Sequence, residues 1–215
     1  MSPSGPRAER KRAAILAAAE GAFRERGYHG VSMDGIAERA EVSKRTIYNH
    51  FEGKDALFAV IVRRLFDGAH DATRSTYDPT RPVADQLRAV AEGKLRYVLE
   101  DRYLGLFRAV FADLARVPAL ASRVAETARR EEESLVTLLR AANADGQLQV
   151  DDPAQAAAQF WALLKGVAFW PVVVGSLPPE AVDREGAIQQ TLTTFLSRYG
   201  AAPGDPTQAL TPDPG

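Results

Sequence analysis

The chain has 215 residues, 46% of them hydrophobic, and a formal net charge of -1, which is ample for a packed core in one large domain or two small ones. It contains no cysteine, so disulfides, thiolate zinc sites and cysteine nucleophiles are excluded; its three histidines, His29, His50 and His70, are scattered, and neither a metal nor a cofactor is expected. Charge is unevenly spread: residues 1–66 hold twelve basic and eight acidic groups, against fifteen and twenty in the remainder, the asymmetry of a chain whose head alone meets a polyanion.

Helix-favouring residues dominate and no run alternates apolar and polar residues between hairpin turns, so the reading is all-α. A basic arm over 1–9 carries no sustained apolar stretch, so no secretion signal is read and a cytoplasmic location is expected. Arg7 and, just beyond the arm, Arg10, Lys11 and Arg12 suit either a minor-groove contact or a merely solubilising role. The spacing of Ile15, Ala19, Ala22 and Phe23 predicts a first helix over 10–26, closed by Gly27 as a left-handed cap.

Ser32 reads as the N-cap of a short helix over 33–40, with Val31 and Ile36 as a hydrophobic staple and Asp34 in the first turn. The pattern repeats at once: Ser43 caps a helix over 44–50, and Val42 and Ile47 are its staple. Two helices of about two turns, separated by three residues, make a helix-turn-helix. A longer helix over 54–75 follows, ended by "YDPTRP". Further helices are predicted over 83–101, 103–115, 118–143, 153–174 and 180–199, and a Pro/Gly-rich, disordered tail over 201–215. The organisation expected is a DNA-binding head over 10–53, a connecting helix over 54–75 and a helical body over 76–200. The most apolar run, from Phe160, is broken by Lys165 and Pro171 and is shorter than the ~18 to 20 residues of a bilayer span, so no membrane contact is expected.

In the helix over 44–50, setting Ile47 inward turns Arg45 and Asn49 roughly 160° away from it. Lys44 and Tyr48 fall on one flank and Thr46 and His50 on the other. Arginine pairs bidentately with guanine and asparagine with adenine, while lysines and hydroxyls at the edges hold phosphates. Lys44, Arg45 and Lys54 oppose the helix dipoles they sit on, at about 0.3 to 1 kcal/mol each, a penalty that a phosphate would reverse. No nucleophile, base and oxyanion donors come together anywhere, so no enzyme is read.

The segment "VSMDGIAERAEVSKRTIYNHFEGKDALF" resembles the DNA-binding segment of the TetR/AcrR family of transcriptional regulators, on Ile36-Ala37, Val42-Ser43, Thr46-Ile47-Tyr48, Phe51 and Lys54, over residues 10–66. The resemblance implies a homodimeric, usually repressing regulator that a ligand releases from a palindromic double-stranded DNA operator. It implies that Ser32, Lys44, Thr46, Tyr48, His50 and Lys54 touch phosphate or bases, with Ser43 capping beside them and Arg45 and Asn49 at the variable, specificity-bearing positions. Glu41 and Arg45 stand where the family often has glycine. Further on, "RYLGLFRAVFADLARVPALASRV" faintly resembles the C-terminal domain of an AefR-type subgroup.

In the body, Tyr103, Phe107 and Phe111 recur on one helical face. With Trp161, Phe169 and Trp170 they line a cavity for an apolar or aromatic small-molecule effector, or else form plain core. The helices over 153–174 and 180–199 offer Phe160, Leu164, Val167, Leu192, Phe195 and Leu196 to a four-helix dimer interface, or to a monomeric bundle. The rival function is a helical adaptor that binds protein through 160–174 and has no effector pocket; it leaves residues 43–54 unexplained.

Overall fold

The computed structural model describes residues 5–113 and 118–201; the first four residues of the predicted arm and residues 202–215 of the predicted tail lie outside the described residues. The described chain is helical throughout, with one isolated β-bridge between Leu148 and Gly200.

Helix α1 spans Pro6–Arg26 and so takes in the last four residues of the arm predicted over 1–9. Pro6 stands at the first helical position, where its missing N–H is no loss, and Glu9 complements the dipole in the first turn. Arg12 is thereby fixed over the Phe51 ring, 5.3 Å from its centroid. Gly27 ends α1 at φ 66°, ψ 179°, a positive-φ region that only glycine enters freely, though extended in ψ and not the left-handed cap expected.

Helices α2 (Met33–Arg39), α3 (Lys44–His50) and α4 (Lys54–Asp71) follow. The head is sealed by Ile15, Ala19 and Phe23 of α1, Ile36 and Ala37 of α2, Ile47 of α3, and Leu57, Phe58 and Ile61 of α4, all buried. Phe58 meets Phe23 edge-on at 4.8 Å and Tyr28 at 4.9 Å.

Helix α4 stops four residues before Ser75. The buried Gln86 side chain takes over the backbone beyond it, accepting from Asp78 N at 2.9 Å and donating to the Asp78 and Arg81 carbonyls. The body comprises α5 (Val83–Val98), α6 (Asp101–Asp113), α7 (Pro118–Ala144), α8 (Pro153–Ala168), α9 (Trp170–Val173) and α10 (Arg184–Tyr199). The single helix predicted over 153–174 is broken at Phe169, because Pro171 has no N–H to donate and its ring collides with the preceding turn. Helix α10 starts at Arg184, where the Asp183 carboxylate accepts from Gly186 N at 2.9 Å. In the body, α4 packs on α7, α7 on α8, and α10 on both α5 and α8; α1 reaches across to α6. Among the described residues no helix is long and apolar enough to cross a membrane.

Candidate nucleic-acid interface

Both short helices are capped as their sequences require: Ser32 Oγ accepts from Gly35 N at 3.1 Å and Ser43 Oγ from Thr46 N at 3.2 Å. Ser43 Oγ also lies 2.8 Å from Thr46 Oγ1, so the two hydroxyls at this corner are spent largely on each other. Glu41, in the turn between α2 and α3, has φ 53° and is the one non-glycine residue with positive φ among the described residues. This is the position that glycine would hold without strain.

On α3, Ile47 is fully buried while Lys44, Arg45, Tyr48 and Asn49 are exposed. Arg45 and Asn49 enter no hydrogen bond or ion pair among the described residues, so their planar donor groups are available to a base edge. Tyr48 is 46% exposed, which sets its phenol on the outer face and not over the core. His50 is half-buried, its ring 6.5 Å from that of Phe51.

The two lysines differ from each other. Lys44 Nζ bonds Asp34 of α2 at 2.8 Å, both side chains being largely exposed. That hydrogen bond, seconded by the charge of Asp34, raises the Lys44 pKa, and the ammonium can be handed to a phosphate at little cost because exposed pairs are weak. Lys54 is a tether: Nζ donates to the Tyr28 and Val31 carbonyls at 3.0 and 3.1 Å and sits 4.2 Å from the centroid of the Tyr28 ring. Its ammonium thus has partners within the protein at the start of α4, where the sequence leads one to expect a phosphate anchor.

Two charge pairs missed by local pattern frame the head. Arg39 of α2 grips Glu25 of α1 through both oxygens, at 2.7 and 2.8 Å, and this bond lowers the Glu25 pKa. Arg102 of α6 grips Glu20 of α1 in the same bidentate manner. The partners lie 14 and 82 residues apart, beyond the reach of any helical spacing.

In the body, the six aromatics predicted to share a cavity divide. Tyr103, Phe107 and Phe111 stack in sequence at 5.8 and 5.9 Å, and Phe169 and Trp170 close on Phe107 at 5.0 and 6.1 Å. Tyr103, Phe107 and Phe169 are buried, whereas Phe111 and Trp170 remain exposed. Trp161 stands apart from these five, against Phe160 at 5.4 Å. A cleft of about 780 Å³ is polar and lined by other residues, His70, Asp71, Arg74 and Ser75 with Glu133 and Thr137. Of the predicted interface set, Phe160, Leu164, Leu192 and Phe195 are buried within the protomer, because α8 and α10 pack on each other, α8 also on α7 and α10 also on α5. Val167 is exposed and Leu196 partly so, and an apolar groove of about 440 Å³ runs along Gln159, Ala162, Leu163, Thr194 and Arg198.

Residues 15–61 match the family model described as bacterial regulatory proteins, tetR family, and residues 85–201 match that of the AefR-like transcriptional repressor, C-terminal domain. A TetR family regulator from Pseudomonas syringae pv. tomato superposes with TM-score 0.75 at 36% identity, covering 90% of this chain and 99% of that one. The chain belongs to the TetR family. Its all-helical architecture, with an N-terminal helix-turn-helix and a C-terminal helical domain, is that of the family. The flavonoid-responsive regulator FrrA is similar over 89% of this chain and 98% of its own, with TM-score 0.74 and 30% identity. The transcriptional activator FasR of Mycolicibacterium smegmatis is 34% identical over 120 residues, 55% of this chain and 53% of FasR. The chain thus spans about half the length of that relative.

Proposed function

We propose that this TetR-family chain is a cytoplasmic repressor that binds a palindromic operator as a homodimer and is released by a small apolar or aromatic ligand. The observation that carries the DNA reading is the outer face of α3, where Arg45 and Asn49 point away from the buried Ile47 and engage nothing else. Arg45 reads a guanine and Asn49 an adenine; Lys44 and Tyr48 hold the backbone at the flank. His50 and Thr46 occupy the other flank, and Ser32 and Ser43 present helix N-termini to phosphates.

A single two-turn helix binds too weakly to select one site in a genome, so the dimer is needed. The exposed faces of α8 and α10, with Val167, Leu196 and the groove at Leu163 and Thr194, supply a self-complementary surface for it. For the effector, the stack of Tyr103, Phe107 and Phe111 with Phe169 and Trp170 offers flat apolar faces. The similarity to a regulator described as flavonoid-responsive favours an aromatic ligand. A ligand wedged against α6 shifts Arg102, which holds Glu20 of α1, while Arg24 of α1 packs where a side chain on Gly105 would stand. Movement of α1 passes through Glu25 and Arg39 to α2 and so to α3.

The test is fluorescence anisotropy on a selected operator and on scrambled DNA at several salt concentrations. Arg45→Ala is expected to cost about 1 to 3 kcal/mol on the operator and little on scrambled DNA. Lys44→Ala is expected to weaken both alike and reduce the salt slope by about 0.9. Equal losses for both variants on both DNAs would defeat these roles.

A further inference from the structure

Helix α1 contributes Ile15 and Ala19 to the head core, and the side of the helix they mark runs on past the end of that core. One turn earlier it holds Lys11 and Arg12, and Arg7 follows one turn before Lys11. Arg12 is half-buried and lies 5.3 Å from the centroid of the Phe51 ring, and Phe51 is the C-cap of α3. The first turns of α1 therefore stand beside the C-terminal end of the helix that presents Arg45 and Asn49. Lys11 points roughly 40° and Arg7 roughly 80° from Ile15, whereas Arg10 points roughly 140° from it. Arg7, Arg10 and Lys11 are all exposed. Arg7 and Lys11 enter no hydrogen bond or ion pair among the described residues, while Arg10 donates to the Pro6 carbonyl of its own turn at 3.3 Å. The acidic residue of the first turn, Glu9, projects roughly 160° from both Arg7 and Lys11.

We propose that the first turns of α1 are a second DNA-contacting element, in which Arg7 and Lys11 hold phosphates of the strand passing the C-terminal end of α3. The proposal rests on the reading of DNA by α3. A loose arm would lay its side chains in the minor groove and distinguish A·T from G·C. These cations are instead carried on a helix that begins at Pro6. A helix with its side chains is roughly 10 to 12 Å across, too wide for a minor groove of about 6 Å, so the contact stops at the backbone. Phosphate contacts fix register and add affinity without reading bases. Arg12, stacked on Phe51, positions the element, and because the helix is already formed little ordering is left to oppose binding.

Fluorescence anisotropy of the full chain on a selected operator and on scrambled DNA, at several salt concentrations, tests the contact. Arg7→Ala with Lys11→Ala is expected to lower the salt slope by about 1.8 per half-site on both DNAs, two contacts at about 0.9 each. Arg7→Lys with Lys11→Arg should keep the wild-type slope. Arg10→Ala removes the same charge from the other side of the same turn and should change the slope by less than about 0.3. Alanine is the best helix former, so these variants keep α1 intact. In-vitro selection by the double alanine variant should return the wild-type bases. An unchanged slope, or an equal fall per charge for Arg10→Ala, overturns the contact, and so does an altered A·T preference beside the α3 site, which would mean minor-groove insertion. Arg45→Ala in the same assays keeps the two readings apart: if it relaxes base preference while the double alanine variant behaves as wild type, α3 reads DNA and the α1 contact fails; if neither variant differs from wild type, both fail.

Discussion

The Lys54 ammonium donates to two carbonyls of the 27–31 linker, so Lys54→Met removes bonds that hold the start of α4 to the end of α1. Hydrogen bonds from a charged donor contribute roughly 1.5 to 3 kcal/mol, and a loss near the lower end is expected in urea unfolding. The salt slope of DNA binding should stay within about 0.3 of wild type, in contrast to Lys44→Ala. A slope lower by one full phosphate contact would return Lys54 to the role its sequence position suggested. Glu41 invites the opposite experiment. A side chain at φ 53° is strained by roughly 1 to 2 kcal/mol, and asparagine tolerates that conformation. Glu41→Asn should therefore raise the melting temperature by about 2 to 4 °C, and an unchanged or lower value would count against strain in this turn. At this scale the caps were legible, because Ser32 and Ser43 each reach three residues along the chain. The partners of Lys54, Glu25 and Glu20 were not, being fixed by how distant helices meet.

Helix boundaries divide along the same line. The segment over 44–50 matches its expectation to the residue, because a capping serine, a staple and a buried Ile47 all act locally. The end of α4 depends on Gln86, eight residues from the Asp78 backbone it holds, and was read four residues too long. The break at Phe169 follows from Pro171, a signal present in the sequence but overridden there by the length of the apolar run. Glycine spacing shows how closely α4 and α5 approach: a Cβ on Gly93 would stand 2.1 Å from the Ala72 carbonyl oxygen, whereas one on Gly166 of α8 meets nothing within 4 Å. Gly93→Ala is expected to destabilise the chain by about 1 to 3 kcal/mol through forced displacement. Gly166→Ala should stabilise it by up to ~1 kcal/mol through helix propensity. Chemical denaturation measures both; equal effects of one sign would mean that backbone approach at Gly93 is not limiting.

In the whole molecule, α1 is the member shared by both halves: it is gripped by α2 through Arg39 and by α6 through Arg102. Neither grip is visible in composition or periodicity, whereas the charge asymmetry between head and body is, and it marks the head as the half expected to meet DNA. The body was legible as helical and apolar, but the division of its aromatics between a stack on α6 and the separate Trp161 came only from the packing. In the function proposed above, the molecule acts through two heads held at one spacing. The most direct measurement is in-vitro selection of DNA by the full chain, wild type beside Arg45→Ala. Wild type is expected to enrich an inverted repeat whose half-site centres lie one helical turn, about 34 to 36 Å, or a multiple of it apart. Arg45→Ala should relax the preference for guanine at one symmetric pair of positions and leave the spacing unchanged. Enrichment of no inverted repeat, or of the same bases by both proteins, would contradict the account.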